Sequence, residues 1–238
     1  MVGNAVRDSE RVHDVSGDDA RIAAAEAAVA AEVRSGMALG LGTGSTARHV
    51  TIVVGRLLAA GQLSGIVGVP TSEATATLAR EHGVPLATLA EQPHLAVCLD
   101  GADEIGPRLG LVKGLGGALL REKIVASAAD RFVVVADQSK RVARLGERAP
   151  VPVEVIPFGA AVCFRALAAL GCTPEPRAGF VTDEGNVILD CRFGPIDDPE
   201  ELAIAIHSIP GVVEHGLFLG MAHAAYVAGP GGVEIDLR

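Results

Sequence analysis

Residues 37–46 read Met37-Ala38-Leu39-Gly40-Leu41-Gly42-Thr43-Gly44-Ser45-Thr46, a short apolar run that breaks into glycines and hydroxyls. The run has the length of a buried strand, and the residues after it are apolar at helical spacing to about Leu58. A strand that turns through glycines into a helix opens a parallel α/β unit. It also brings backbone N–H groups and the positive helix end to a place where an anion can sit. Glycine lets the backbone approach such an anion closely, and Thr43, Ser45 and Thr46 add hydroxyl donors. The stretch from Gly42 to Ala47 also satisfies the looser G-x-G-x-x-A dinucleotide pattern. Against that, the next strand closes on Val69-Pro70-Thr71-Ser72, with no acid to hold a ribose, so a small phosphate ester fits better. A tight turn without a ligand is the remaining alternative.

Upstream, Ile22, Ala25, Val29 and Val33 recur at helical spacing, opened by Asp18 or Asp19 and stopped by Gly36. Residues 1–17 read as a polar, flexible tail without the apolar core of a signal peptide. Downstream, strands at 66–69, 85–89, 95–99 and 131–136 alternate with helices at 73–81 and from about 118. This alternation predicts right-handed crossovers and an α/β fold, a mostly parallel, Rossmann-like sheet flanked by helices. From Pro150 the texture changes. A helix at 160–170, a hairpin of 181–182 with 187–191 around Asp183-Glu184-Gly185-Asn186, a helix at 200–206 and a strand at 212–218 predict a second, smaller α+β domain over 150–218. The main domain then comprises 18–149 and 219–238, with 224–228 and 233–237 returning to its sheet.

The 238 residues are 49% hydrophobic but only 3% aromatic, which suits an aliphatic core between a sheet and its helices. A net charge of -9 argues against nucleic acid as a partner, and the charge-free stretches are broken by Gly, Pro and His, against a membrane span. Cys98, Cys163, Cys172 and Cys191 lack C-x-x-C spacing and read as free thiols of a cytoplasmic protein. No histidine pair has the spacing of a helical zinc site, so no metal is expected; His94, His215 and His223 read as packing or surface groups.

Only three of the twenty basic residues are lysines, Lys113, Lys123 and Lys140, and all come after the run Asp100-Gly101-Ala102-Asp103-Glu104. Lysine is a compact point charge where arginine is a wide fork. Asp100 and Asp103 end an apolar strand, at the edge where open α/β sheets bind ligands, and Lys113 is the cation that can compensate them. The loop Lys113-Gly114-Leu115-Gly116-Gly117-Ala118 permits close approach, and Glu122 early in the following helix can project toward whatever the loop holds. Each residue has a plainer reading: turn caps for Asp100 and Asp103, and a solvated helix acid for Glu122.

These blocks, with Val135-Ala136-Asp137-Gln138-Ser139-Lys140, Pro152-Val153-Glu154-Val155-Ile156-Pro157 and residues 209–218, resemble the ribose-5-phosphate isomerase A family from about Asp18 to the end. The resemblance implies a cofactor-free interconversion of D-ribose 5-phosphate and D-ribulose 5-phosphate in the non-oxidative pentose phosphate pathway, by a homodimer or homotetramer. It implies Glu122 as catalytic base, with Asp100, Asp103 and Lys113 in the reaction. Thr43, Gly44, Ser45, Thr46, Gly101, Ala102, Gly114, Leu115, Gly116 and Lys140 match its substrate contacts. The chain departs at Leu115, where the family usually has glycine. The rivals are a sugar-phosphate-sensing regulator, which needs a helix-turn-helix for which the residues before Asp18 give little room, and an amino-sugar phosphate deaminase, which needs a catalytic histidine.

Overall fold

The computed structural model describes residues 17–238, so the sequence reading of residues 1–16 lies outside it; Gly17, placed in the tail, opens a helix. The main sheet has six strands. These are β1 (Ala38–Leu41), β2 (Val67–Pro70), β3 (Val97–Asp100), β6 (Phe132–Asp137), β12 (Ala224–Gly229) and β13 (Gly232–Leu237), ordered β13-β12-β6-β3-β1-β2. Only the β12–β13 hairpin is antiparallel. Alternate residues face opposite sides. Leu39, Leu41, Leu99, Val133 and Val135 pack under α1 (Gly17–Glu32) and α2 (Ala47–Ala59). Cys98, Val134, Ala136 and Val227 face α4 (Leu119–Ser127) and Phe218. The alanines of α1 bring it close to the sheet, and α3 (Glu73–Glu81) packs beside α2.

A three-stranded sheet, β11 (Leu217–Phe218), β5 (Leu111–Val112) and β4 (Glu104–Ile105), lies beneath the site. The second unit is a four-stranded antiparallel sheet in the order β10 (Val212–His215), β7 (Val151–Val155), β9 (Val187–Arg192), β8 (Thr173–Pro176), with its core shared by α5 (Ala160–Ala169) and α6 (Pro199–His207).

Three expected strands differ. Residues 85–89 make a single bridge, Gly68 with Leu86, because Thr88 is pulled into a turn by the Glu91 carboxylate, which accepts from its N–H and hydroxyl. Residues 181–182 form no strand: Thr182 closes a turn to Asn186, and β9 instead pairs with β8, whose Pro174 and Pro176 are tolerable only on a sheet edge. The run 212–218 splits at Gly216 between two sheets. There the chain passes so close to Lys113 and Pro152 that a side chain would collide with the Lys113 carbonyl.

Candidate active site

The carboxyl ends of β1 and β3 lie side by side, so the loops after them share one crevice. Asp100 is the last residue of β3 and is fully buried. Its Oδ1 accepts from Thr43 N (3.1 Å) and Gly101 N (2.7 Å). Gly42 lies against this carboxylate with no room for a Cβ. The glycine-threonine turn is thus moulded on Asp100, and it leaves Gly44, in a left-handed conformation at φ 117°, and Ser45 facing out at the start of α2.

The Thr43 hydroxyl turns toward the end of β2 and the start of α3. It lies 2.7 Å from Thr71, 2.8 Å from Ser72 and 3.0 Å from Thr75, and Thr75 donates to Gly42 O. Ser72 also caps α3. The hydroxyl-rich end of β2 therefore braces the turn as well as capping a helix.

Opposite, Lys113 is buried at the end of β5, with its N–H donated to Gly216 O. Its ammonium donates to Gly101 O (2.6 Å) and stands 3.0 Å from Asp100 Oδ2 and 3.3 Å from Glu122 Oε2. Glu122, in the first turn of α4, is equally buried, and no hydrogen-bond donor is aligned on its Oε2 among the described residues. Burial pushes its carboxyl up to about 8; the Lys113 ammonium pulls the other way, and the nearby Asp100 and Asp103 charges add to the rise. Burial raises Asp100 too, while the carboxylates around Lys113 hold its ammonium charged despite its burial. One cation faces two buried carboxylates, so the second negative charge is poorly compensated and a proton is held there more tightly than on an ordinary acid.

A cleft of about 230 Å³ opens above this cluster, lined by Thr43, Gly44, Ser45, Thr46, Gly101, Ala102, Asp103, Lys113, Gly114, Leu115, Gly116, Glu122 and Lys140. Every residue that the family resemblance assigned to catalysis or substrate contact lines it except Asp100, which lies beneath. Asp103 Oδ2 accepts from Leu115 N at 2.9 Å. Leu115, where the chain departs from the family pattern, does not occupy a left-handed position. Among described non-glycine residues only Arg108 and Leu109 have positive φ, whereas the left-handed positions of this loop, Gly114 and Gly117, are both glycine.

Lys123 turns away from the cleft and donates to Glu214 Oε1 (2.7 Å), His215 O and Leu217 O. Sequence reasoning missed a group gathered there from α6 and β10: His207, Glu214 and His215 offer ligand atoms within 4.8 Å of one another. Spacing gave no signal, because the ligands come from different elements, and Lys123 already occupies Glu214. Burial drops His215 to about 4, and its Nδ1 accepts from Leu217 N. No helix among the described residues is long and apolar enough to cross a membrane.

The family model for ribose 5-phosphate isomerase A (phosphoriboisomerase A) matches residues 67–232. A protein of Roseiflexus castenholzii named ribose-5-phosphate isomerase A is 64% identical over 84% of this chain and 88% of its own. One of Synechococcus with the same name is 52% identical over 92% of this chain and 97% of its own. A solved D-ribose-5-phosphate isomerase in complex with phospho-erythronic acid superposes with a TM-score of 0.91 at 38% identity, covering 94% of this chain and all (100%) of the other. The enzyme from Methanocaldococcus jannaschii gives 0.89 at 40% identity, with coverage of 94% and 100%.

Proposed function

The chain belongs to the ribose-5-phosphate isomerase A family, and from that premise and the cleft we propose that it interconverts D-ribose 5-phosphate and D-ribulose 5-phosphate through an enediolate. The observation that carries the mechanism is the pairing of Lys113 with Glu122, whose Oε2 has no donor aligned on it among the described residues. Moving a carbonyl from C1 to C2 requires a base that takes the C2 proton and returns a proton to C1. Glu122 Oε2 has a free lone pair for it, and the raised pKa keeps the protonated intermediate form accessible near neutral pH. As the proton leaves, the C1 oxygen becomes negative, and Lys113, already charged and held by Asp100, faces it without reorganising. The proton on O2 then passes to O1, and as Glu122 returns its proton to C1 the O2 electron pair forms the new carbonyl, which yields the ketose with no net gain or loss of protons.

The two aspartates divide the work in this reading. Asp100, whose Oδ1 accepts from Thr43 N and Gly101 N and whose Oδ2 stands 3.0 Å from the Lys113 ammonium beneath the cleft, positions the cation and the turn, whereas Asp103, at the cleft wall, orients a sugar hydroxyl. Ser45, Thr46, the N-terminus of α2 and Lys140 receive the phosphate, and Thr43 acts by holding their turn. No histidine lines the cleft among the described residues, which disfavours the deaminase reading.

Glu122→Gln tests this. Turnover of ribose 5-phosphate should fall by about 10³-fold with substrate affinity nearly kept. Turnover at the level of the unaltered protein would remove Glu122 from the mechanism.

A further inference from the structure

Arg177, on the segment between β8 and β9 of the second unit, reaches across to the substrate loop of the main body. Its guanidinium is a fork with two engaged edges. Nε and Nη2 hold the Asp190 carboxylate at 2.9 and 2.5 Å, and Nη1 donates to two successive carbonyls, Gly114 O and Leu115 O, each at 3.1 Å. Side-chain exposure is 16% for Arg177 and 21% for Asp190, so the pair is largely shielded from solvent.

The peptide between Gly114 and Leu115 is trans, so its C=O and N–H point in opposite directions. Its oxygen is taken by Arg177 and its N–H by Asp103 Oδ2 at 2.9 Å. One peptide plane is therefore clamped between an arginine of the second unit and the carboxylate at the cleft wall. The anchor itself is fastened. The Phe180 ring lies 5.5 Å from the Arg177 guanidinium and fills the space where a side chain at Gly117 would go. Thr182 and Asn186 both donate to the buried Glu154 of β7, and Asp183 accepts from Glu73 N at the head of α3.

We propose that Arg177 is a positioning residue for the isomerase site: held by Asp190, it orients the Gly114–Leu115 peptide so that the Leu115 N–H fixes the Asp103 carboxylate for a substrate hydroxyl. This rests on the role given to Asp103 above. Lysine in its place keeps the positive charge but, as a single point donor, cannot hold Asp190 by two nitrogens and two carbonyls at once.

The test compares the unaltered protein, Arg177→Lys, Asp103→Asn and the double variant by calorimetric affinity for phospho-erythronic acid and by hydrogen exchange over residues 113–119. Turnover of ribose 5-phosphate is measured for the unaltered protein and Arg177→Lys. Arg177→Lys should raise KM and the Kd for the acid by roughly ten-fold, leave kcat within about three-fold, and speed exchange in the loop. In the Asp103→Asn background the same change should have little further effect on affinity, because the two residues act through one peptide. An unchanged Kd and exchange rate in Arg177→Lys, or an undiminished ten-fold loss without Asp103, would overturn the proposal. So would a fall in Tm with the activity loss shared equally by kcat and KM, since that marks a scaffold role. If the unaltered protein does not isomerise ribose 5-phosphate, the functional reading fails, while loop exchange still decides whether Arg177 holds the loop.

Discussion

Lys113 and Lys123 flank one aromatic ring, their ammonium groups 5.5 and 4.8 Å from the centre of Phe218, yet they sit in opposite electrostatic situations. Lys123 meets one carboxylate and two carbonyls, which use its three hydrogens. Although burial works to raise Glu214, Lys123 and the neighbouring N–H hold that carboxyl below its usual range. Lys113 meets two carboxylates, and Glu122 is pushed up to about 8 because burial and the Asp100 and Asp103 charges outweigh the single ammonium. Burial and charge ratio together separate the two: Lys113 and Glu122 are more deeply buried than Lys123 and Glu214, and Lys113 is shared with a second carboxylate. A half-buried pair of one cation and one anion, with its hydrogens satisfied, is a fastening, whereas two deeply buried anions on one cation leave a carboxylate that exchanges its proton near neutral pH.

The largest contrast should come from removing each ammonium. Lys113→Met is expected to cut turnover by about 10³-fold, since nothing else compensates the developing oxyanion. Lys123→Met should leave kcat within about three-fold but lower unfolding stability by roughly 2 kcal/mol, through the half-buried Glu214 left unpaired. Steady-state rates and denaturant melts measure the two, and a loss of turnover in Lys123→Met matching that of Lys113→Met would break the distinction.

A second comparison works through pH. The ionised form of Glu122 is the base, so kcat/KM should rise with pH along a limb near 8, where an ordinary glutamate would place it near 4.5. Asp100→Asn removes one of the charges that raise Glu122 and should move this limb down by about one unit, even if the rate itself falls. A limb that stays in place would show that Asp100 does not act on the base.

The smallest effect concerns stability. Glu122 has a folded pKa above its unfolded one, so its favourable contribution is full below about pH 4.5 and is lost as pH rises through about 8. At pH 8.5 Glu122→Gln should therefore raise stability by about 1 kcal/mol, or Tm by roughly 3 °C. Glu214 is lowered in the fold, so its stabilisation is present above its unfolded pKa and is lost on acidification through the folded one. Glu214→Gln should lower Tm at the same pH. Melts of both variants shifting in the same direction would contradict the contrast.

Much of the fold could be read along the chain because strands that end in glycine or aspartate and helices that open on Asp, Ser or Thr are written in neighbouring residues. The helix at 73–81 agrees at both ends, with Ser72 as its cap. Reading failed where distant partners decide the backbone. Residues 173–176 carry two prolines and still form a strand, since an edge position needs fewer N–H donors, and the 212–218 run divides at Gly216 because two sheets meet there. The cleft residues were legible as acids, glycines and a lysine close in sequence, but Arg177 was not, since nothing around it in the chain points to a loop more than sixty residues away.

By itself the sequence determined the strand-turn-helix that opens the sheet, the glycines that allow it, and the short segment holding Asp100, Asp103, Lys113 and Glu122. Those depend on local periodicity and backbone freedom, which act over a few residues. Only the tertiary structure decided that Lys113 faces the cleft while Lys123 faces away, that Asp100 lies beneath the site and Asp103 at its wall, and that an arginine from the second unit contacts the loop after Lys113. The reason is that the strength of a buried charge depends on how many opposite charges packing brings within a few ångströms, and strand register and helix orientation set that number.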